Sequence, residues 1–192
     1  MSLRVFEKER PLSQKPHATI YRGDFRTEIV AVKRFKSGII AEFEREVRKL
    51  QKLEHRNIVE FLAVFRNRDG TIDLVMRMGE LENLGDAIRN QSHTFEWKYS
   101  MLYQISSGLA YLHDNDIIHG NLTPNNIIFR DLAHGRAMIG NYCKAARLQS
   151  PPKAIEDMIF EAPEGETSKP SDVYSLTLVV CCILVHTCPE PL

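Results

Sequence analysis

The feature that most constrains the fold of this chain is a change of hydrophobic pattern near residue 78. Before it, segments such as Ile20–Asp24 and Glu28–Lys33 have the alternating or β-branched composition of strands. After it, apolar residues recur every three or four positions, which is the period of a helix. The sequence therefore predicts an α+β fold, with a sheet-rich first part at residues 1–78 and a helix-rich second part at residues 79–192.

One helix is expected inside the first part. Residues 41–54 place apolar side chains at helical spacing among many charges, namely Phe43, Val47, Leu50 and Leu53. Strand-like segments return at residues 58–65 and 72–78, on either side of the turn residues 67–70. The first part is therefore predicted to be a sheet with one amphipathic helix.

The second part begins with a long predicted helix that starts near Trp97 and ends at residues 113–116. Short apolar segments at residues 117–119 and 126–129 are expected to form small strands around a loop. The last helix is predicted at about residues 171–186.

The charge balance limits the partners. The 192 residues carry 25 Lys and Arg against 25 Asp and Glu, whereas a protein that neutralises many phosphates of DNA or RNA needs an excess of basic groups. Nucleic acid is therefore not expected as a partner. Residues 1–78 carry 17 basic and 11 acidic side chains, and residues 79–192 carry 8 and 14. Two lobes that attract each other and unevenly solvated faces both explain this split.

No segment predicts a membrane span or secretion. The longest apolar run, residues 178–185, is far shorter than a bilayer span, and the residues before Leu12 lack the apolar stretch of a signal peptide. The cysteines form no CxxC pair, which fits reduced thiols and disfavours a zinc site; they are Cys143, Cys181, Cys182 and Cys188. We therefore expect a cytoplasmic or nuclear protein without membrane contact.

Short motifs in a fixed order indicate the family. They are Val30–Lys33, Glu46 with His55–Val59, His119–Asn126, Asn141–Cys143, Ala162–Glu164 and Asp172–Ser175. In order and spacing they resemble the VAIK strand, helix C and its exit, the HRDLKPxN loop, DFG, APE and the start of helix F of the protein-kinase superfamily. The chain is thereby identified as a degenerate, pseudokinase-like member of that superfamily, and Leu74–Met76 and Ser171–Ser175 look most like its tyrosine-kinase-like branch.

The resemblance implies a two-lobed kinase-like fold and a nucleotide site. In the family the strand lysine, here Lys33, holds the α- and β-phosphates of ATP and pairs with the helix C glutamate, here Glu46. Met76 corresponds to the gatekeeper and Met78 to the hinge. The positions that the resemblance assigns to nucleotide contact are Ala31, Lys33, Glu46, Met76, Met78, Asn126, Ile128 and Asn141.

Several substitutions within these motifs remove catalytic chemistry. Ser13, Lys15 and Ala18 stand where the glycines of the phosphate loop would be, so side chains crowd the phosphates. Asn121 replaces the aspartate that accepts the substrate proton, and a carboxamide cannot take that proton. Asn141 replaces the DFG aspartate, which leaves two neutral amides, Asn126 and Asn141, for a Mg²⁺ ion that prefers carboxylates. The sequence therefore predicts no intact catalytic residue and no confident metal site.

Further departures concern regulation. Thr123 replaces the loop lysine, and Gly120 replaces the arginine that gathers a phosphorylated activation segment. Phosphorylation control through Ser150 or Tyr142 is therefore not expected. Tyr142 at the DFG phenylalanine can still fill an apolar slot, and it is a candidate for the packed spine together with Leu50 and His119.

The match ends at Pro191-Leu192, shortly after the segment that resembles helix F, whereas kinases continue through several more helices. The resemblance thus implies a shortened second lobe, a Glu164 without its usual arginine, and an uncovered apolar face on helix F. That face is expected to contact a partner, to mediate self-association, or to make the chain unstable.

Three functions remain open. The first is a pseudokinase that binds another protein, such as an active kinase or its substrate, or acts allosterically. The second is a residual Ser/Thr or Tyr kinase, so whether the chain is an enzyme stays open. The third is a metal-free nucleotide-binding switch. No cofactor is required by the first function, and ATP binding and an empty cleft are equally compatible with these residues.

Overall fold

The computed structural model describes eight stretches of the chain. They are residues 3–7, 9–14, 18–35, 47–80, 82–90, 92–131, 135–142 and 155–187. The chain divides into two compact units. The first unit contains the described residues among 1–54 and 59–79, and the second contains those among 55–58, 80–142 and 155–187.

The first unit is built on a sheet. Within the described residues its strands are β1 (Leu3–Val5), β2 (Ser13–Gln14), β3 (Ala18–Phe25), β4 (Glu28–Phe35), β5 (Phe61–Arg66) and β6 (Ile72–Arg77). The strands pair in the order β1-β3-β4-β6-β5, and β2 also pairs with β3. All of these pairs are antiparallel, and the predicted strands at residues 20–24, 28–33 and 72–78 are confirmed.

The two faces of this sheet differ because successive side chains of β4 point to opposite sides. Val30 and Val32 lie on one face and pack with Phe25 and Val75 in a buried apolar cluster. Leu3 and Val5 of β1, together with Leu62, Ala63 and Phe65 of β5, pack against the same cluster. The sheet therefore curls until its two end strands cover one shared core.

Gly23 allows β1 to join the sheet. A Cβ atom on Gly23 would lie 2.9 Å from the carbonyl oxygen of Arg4 and 3.0 Å from a methyl group of Val32. Both distances are too short for a side chain, so a glycine is needed where the backbone of β1 approaches β3 so closely. This strand was not foreseen in the sequence, since its three residues are too few to show a period.

The predicted helix at residues 41–54 is described only in part. Residues 47–50 are helical and Val47 and Leu50 are buried, whereas residues 41–46 lie outside the described residues. The prediction of a strand from residue 58 was wrong at its start. Ile58 makes an isolated bridge with Ile139, and the strand begins only at Phe61, because residues 55–58 belong to the second unit.

A buried polar network holds this segment in the second unit. The Asn57 side chain donates hydrogen bonds to Gln104 at 3.0 Å and to the Ala137 carbonyl at 2.9 Å, and the Asn57 carbonyl accepts one from Ile139 at 2.8 Å. A Cβ atom on Gly108 would lie only 2.6 Å from that Asn57 carbonyl oxygen. A glycine in the middle of a helix is unfavourable by about 1 kcal/mol, and here it makes this close approach possible.

Helices dominate the second unit. Its described elements are the helices α1 (Leu84–Asn90), α2 (Phe95–Asp114), α3 (Ile155–Met158) and α4 (Lys169–Val185), the strands β7 (Ile127–Asp131) and β8 (Arg136–Ile139), and a 3-10 turn at Pro124–Asn126. The strands β7 and β8 form an antiparallel pair. The long helix predicted from Trp97 and the last helix predicted at about residues 171–186 correspond to α2 and α4, and each begins two residues earlier than expected.

The earlier starts of α2 and α4 have a local cause. Thr94 accepts a hydrogen bond from the backbone N–H of Trp97 at its side chain, and thereby caps α2. Ser168 and Ser171 form a reciprocal capping box at the start of α4, and Pro170 occupies the first turn. Capping side chains, not the apolar pattern, therefore set where these helices begin.

The predicted strand at residues 117–119 was wrong. These residues have no strand pairing, because the N–H of His119 donates instead to a carboxylate of α4. The strand partner of Ile127 and Ile128 is β8, which the sequence analysis did not recognise. The segment Arg136–Ile139 has four residues, and a pattern of that length is uninformative.

The turn between β3 and β4 is strained, and this yields a prediction. Arg26 and Thr27 both have positive φ, 53° and 67°, where a side chain costs energy and where Asn-Gly is the preferred pair. The double substitution Arg26→Asn/Thr27→Gly is expected to raise the free energy of unfolding by about 1 kcal/mol. Urea denaturation followed by circular dichroism measures this change.

Arg68→Asn is the matched control, because Arg68 lies in the exposed turn before β6 and is not among the residues with positive φ. It should change the free energy of unfolding by less than about 0.5 kcal/mol. Equal effects of the two variants would show that the β3–β4 turn stores no strain.

Candidate functional site

Three predicted nucleotide contacts of the first unit share one sheet face: Ala31, Lys33 and Met76. In the antiparallel register Ala31 is opposite Met76, and Lys33 is opposite Leu74. These residues alternate with Val30 and Val32, so they lie on the face away from the apolar cluster. The ammonium group of Lys33 lies 5.1 Å from the ring centroid of Phe35, two residues along on the same face.

The hinge-like segment follows β6 directly. Met76 and Met78 are partly exposed, and Arg77 between them is tied down by ion pairs with Glu60 at 2.8 Å and Glu28 at 3.0 Å. The hydrogen bond to Glu60 raises the pKa of Arg77 above its usual value. Burial acts in the opposite direction, but its effect is smaller. The end of β6 is therefore fixed from the opposite face of the sheet.

Four other predicted positions belong to this unit, and the structure describes two of them. Ser13 pairs with Ile20, and Ala18 is buried and pairs with Phe35, so both flanks of the predicted phosphate loop are ordinary strand. Lys15 and Glu46 lie outside the described residues, and their roles stay predictions.

In the second unit, the loop that resembles HRDLKPxN is held by one carboxylate. Asp172, in the first turn of α4, is 1% exposed. It accepts hydrogen bonds from the backbone N–H groups of His119 at 2.7 Å and Gly120 at 2.6 Å, and from the His113 ring at 2.8 Å. Gly120 has a φ of 65°, a backbone conformation that suits glycine far better than any other residue.

The ring of His119 continues this scaffold. It is fully buried, and its Nδ1 accepts a hydrogen bond from the N–H of Asn121 at 3.1 Å. The other ring nitrogen, Nε2, is 2.9 Å from the carbonyl of Gly140. Because a carbonyl can only accept, Nε2 carries the proton and His119 is a neutral structural residue. Its predicted role in the packed core agrees with this burial.

The three asparagines of the predicted site form a chain of hydrogen bonds. The side-chain NH₂ of Asn126 donates to the backbone carbonyl of Asn121 at 2.7 Å. The side-chain NH₂ of Asn141 donates to Oδ1 of Asn126 at 3.3 Å. The backbone carbonyl of Asn126 accepts from Gly140 at 2.8 Å. The structure thus brings Asn121, Asn126 and Asn141 together, and it places Ile128 nearby on β7, opposite Met138.

These residues do not fit a magnesium ion. Oδ1 of Asn126, the oxygen that would bind the metal, already accepts a hydrogen bond from Asn141. Neither amide carries the negative charge that a hard dication favours. Within the part of the chain that the structure describes, no group of three or more His, Cys, Asp or Glu side chains could hold a metal ion.

The position of the missing general base is also unsuited to proton transfer. Oδ1 of Asn121 and Oγ1 of Thr123 are both buried without a hydrogen-bond partner among the described residues. An amide oxygen can accept a hydrogen bond but cannot hold a proton at neutral pH. The loop therefore keeps its shape through Asp172 and His119, and the predicted base position carries a side chain that cannot accept a proton.

The remaining predicted positions are two core residues, the glutamate of the APE-like motif, and two residues of the segment between the DFG-like and APE-like motifs. Tyr142 and Leu50 are 1% and 3% exposed, as expected for packed core residues, whereas Glu164 is exposed. Cys143 and Ser150 lie outside the described residues. In the sequence Asp172 was recognised only as part of a motif, and its role as acceptor for three donors emerged from the structure. The signal available in the sequence for this role was an acidic residue in the first turn of an otherwise apolar helix.

The comparisons with known proteins agree with this architecture. A family model described as "Protein kinase domain" matches residues 17–191. The chain therefore belongs to the protein kinase domain family, and the predicted resemblance is confirmed. A crystal structure of Rad53 1-466 in complex with AMP-PNP has the same fold, with a TM-score of 0.81 and 22% identity over 97% of this chain and 49% of that one.

Two curated relatives are informative. Guanylate cyclase D of Mus musculus is 26% identical over 90% of this chain, which spans 16% of that protein. A probable inactive receptor kinase of Arabidopsis thaliana is 28% identical over 91% of this chain, which spans 19% of that protein. The chain thus corresponds to a small part of each relative. Among the described residues, no helix is long and apolar enough to cross a membrane.

The role of Asp172 can be tested by substitution. Asp172→Asn removes the charge and one acceptor oxygen, so a buried donor of His119, Gly120 or His113 loses its partner. The free energy of unfolding is expected to fall by about 1.5–3 kcal/mol, as measured by urea denaturation.

Asp116→Asn is the matched control. The side chain of Asp116 is 92% exposed and pairs only with Lys169 among the contacts described, so its loss should cost less than about 1 kcal/mol. A loss for Asp172→Asn no larger than that of the control would show that this carboxylate does not hold the loop.

Proposed function

We propose that this chain is a pseudokinase domain that acts as a protein-binding or allosteric module and does not transfer phosphoryl groups. The hydrogen bond between Asn141 and Asn126 carries the proposal. It joins the two side chains that would have to share a metal ion and uses the oxygen that the metal would need. The chain thereby keeps a kinase fold, while the two side chains at the metal position bond to each other and leave no oxygen of Asn126 for a metal ion in this arrangement.

The loop supports the same function. Kinase transfer relies on positioning by metal ions and on a base that accepts the hydroxyl proton. Asn121 offers no base, and the loss of general-base assistance alone lowers a rate by about 10² to 10⁴. The buried hydrogen bonds of Asp172 and His119 meanwhile preserve the backbone of the loop. A domain that keeps its shape without its chemistry is suited to binding.

The similarity to relatives adds support of a different kind. One relative is named as a probable inactive receptor kinase, and another is named as a guanylate cyclase, not as a kinase. Sequences like this one therefore occur in proteins whose names do not claim kinase activity. Binding of a further protein, such as an active kinase or its substrate, is the role that we propose for this chain.

A metal-free nucleotide-binding switch is the second candidate. Ala31, Lys33 and Met76 share one sheet face, as residues that contact one nucleotide would. A lysine can hold phosphate oxygens without a metal, so nucleotide binding does not require Mg²⁺ here. This candidate and the first share the absence of phosphoryl transfer.

An exposed face of α4 supports self-association as a second protein contact, beside the binding of a further protein. Apart from Lys169, which pairs with Asp116 at its start, its exposed residues are uncharged; they are Pro170, Val173, Tyr174, Thr177, Cys181, Leu184 and Val185. The side chain of Val185 is the most exposed of the large apolar ones, at 63%. Because these residues are uncharged, and the ammonium of Lys98 beside them donates to the carbonyl of Leu184 at 2.9 Å, two such faces can pack against each other.

The metal dependence of nucleotide binding tests the proposed function. Melting midpoints are measured with ATP, with ATP and Mg²⁺, and with ATP and EDTA. A ligand at about 100 times its dissociation constant raises the midpoint by roughly 5–10 °C for a chain of this size. We expect the wild-type midpoint with ATP to be the same with Mg²⁺ and with EDTA. A midpoint that rises only with Mg²⁺ would contradict the closed metal site.

Asn141→Asp sharpens this test, because a carboxylate cannot donate to Asn126 and supplies the missing charge. This variant should gain a Mg²⁺-dependent rise of about 2–4 °C in the presence of ATP. The matched control is Asn125→Asp. Asn125 is exposed and precedes Asn126 in the 3-10 turn, and this variant should show no Mg²⁺-dependent rise of the midpoint. If neither variant responds to Mg²⁺, the amide pair is not what closes the site.

Sedimentation tests whether the chain self-associates. The wild-type chain is expected to sediment as a concentration-dependent dimer, and Leu184→Glu/Val185→Glu as a monomer, because two charges would be buried in the interface. Ala110→Glu is the control, since Ala110 is exposed on α2, and it should behave as the wild type. A monomeric wild-type chain at all concentrations would contradict self-association.

A further inference from the structure

Three aromatic rings are stacked at the end of α4, away from the residues of the predicted site. His93, between α1 and α2, lies on Trp97 with ring centroids 3.5 Å apart and ring planes 9° apart. His186, the residue after α4, stacks on His93 with centroids 5.8 Å apart and planes 20° apart. This histidine stack (His93, Trp97 and His186) therefore joins the end of α4 to the start of α2 within the second unit.

His93 and Trp97 are held in place by the rest of the second unit. The ring centroid of Trp97 lies 6.5 Å from that of Phe129. Nε2 of His93 is 3.0 Å from the carbonyl oxygen of Ala87 in α1, and because a carbonyl can only accept, this nitrogen carries a proton. The two rings therefore form a fixed surface for His186.

His186 ends α4 in a strained conformation. Its φ is 57°, in the left-handed region, where a glycine is usual because a side chain costs energy. Its Nδ1 is buried without a hydrogen-bond partner among the described residues. The ammonium of Lys98 donates to the carbonyl of Leu184 in the same turn at 2.9 Å. The last turn of α4 is thus held by the histidine stack and by one lysine.

Positive groups face the ring of His186. Among the described residues, the charged or titratable side chains that act on it are Lys98 of α2 and His93, and the nearest one in sequence on α4 is the buried thiol of Cys182. Burial, followed by the charges of Lys98 and His93, lowers the pKa of His186, while the backbone of His93 opposes this slightly. A charge on His93 can be stabilised by the face of Trp97, whereas a charge on His186 faces two cations.

We propose that the histidine stack is a pH-sensitive contact, which holds the last turn of α4 while both histidines are neutral and releases it when both are protonated. Protonation of both rings puts two positive charges 5.8 Å apart, and the ammonium of Lys98 adds a third. Like charges this close repel each other. The released turn carries Leu184 and Val185, so acidification also weakens self-association, a consequence that rests on the proposed function.

The direction of the pH effect follows from His186. Its pKa is lower in the folded chain than in the unfolded chain, where it is about 6.5. The stabilisation of the turn is therefore complete above a pH of about 6.5 and is lost as the pH falls below it. NMR titration of the His186 ring signals in the whole chain measures this pKa. We expect a midpoint below the unfolded value, and a midpoint at or above that value would overturn the proposal.

Hydrogen exchange shows whether the turn opens. Protection factors, corrected for the intrinsic exchange rate, are measured by NMR at about pH 7.5 and about pH 5.5, on either side of the histidine transition. We expect the backbone amides of Leu184 and Val185 to lose protection several-fold at the lower pH, and that of Val179, in the middle of α4, to keep it. Unchanged protection at Leu184 and Val185 would overturn the proposal, and so would an equal loss along the whole helix.

His186→Asn removes the titrating ring, and asparagine tolerates a positive φ. In this variant the protection of Leu184 and Val185 should be the same at both pH values. His55→Asn is the matched control, because His55 is a half-buried histidine of the same unit whose ring stacks on Tyr111 instead; it should lose protection as the wild type does. A loss in His186→Asn as large as in the wild type would overturn the proposal.

Sedimentation at the same two pH values separates this proposal from the proposed self-association. The dissociation constant of the wild-type dimer should rise several-fold at the lower pH, and that of His186→Asn should stay the same. A dimer whose dissociation constant does not change with pH would overturn the control of self-association by the histidine stack. A chain that is monomeric at both pH values would contradict self-association itself, and the exchange of Leu184 and Val185 then decides for or against the pH-sensitive contact.

Discussion

The carboxylate of Asp172 is the interaction on which the second unit depends. It accepts hydrogen bonds from the end of α2, through His113, and from two successive backbone N–H groups of the following loop. A buried carboxylate is costly unless several donors surround it, and this one has three. Asp172 thus joins α4 to the end of α2 and to residues 119 and 120, and the bonds of His119 extend that order to Asn121 and Gly140.

The first unit depends instead on a sheet whose two faces carry different kinds of side chain. The face that carries Val30, Val32 and Val75 is covered by the end strands and supplies the apolar core. The other face carries Ala31, Lys33 and Met76, the positions that resemble nucleotide contacts. Because side chains alternate along a strand, a shift of one residue in the register of β4 would exchange the two faces. Two ion pairs between β4 and β6 favour that register, one from Arg34 to Asp73 and one from Arg77 to Glu28.

The fold could be predicted largely from the sequence, since the change of period near residue 78 and the motif order both reflect long segments. Short elements could not be predicted in this way. The strand β1 has three residues and β8 has four, and each is specified by contacts distant in the chain, such as the approach of Arg4 to Gly23. Residues 117–119 have a strand-like composition, yet a carboxylate from α4 takes one of their backbone N–H groups.

The candidate site shows the same limit. The residue types at positions 121, 126 and 141 could be recognised in the sequence, and so could the absence of carboxylates. Which amide donates to which oxygen depends on the positions of three loops, and no sequence pattern encodes it. The bond from Asn141 to Asn126 therefore emerged only from the structure, although the proposal of a closed metal site rests on it.

That amide bond has a consequence for the conditions under which the domain keeps its shape. Two carboxylates at such close range would repel each other and would need a cation between them. Two amides attract each other, and neither changes its charge with pH. The hydrogen bond between Asn126 and Asn141 therefore needs neither a divalent ion nor a particular pH to form.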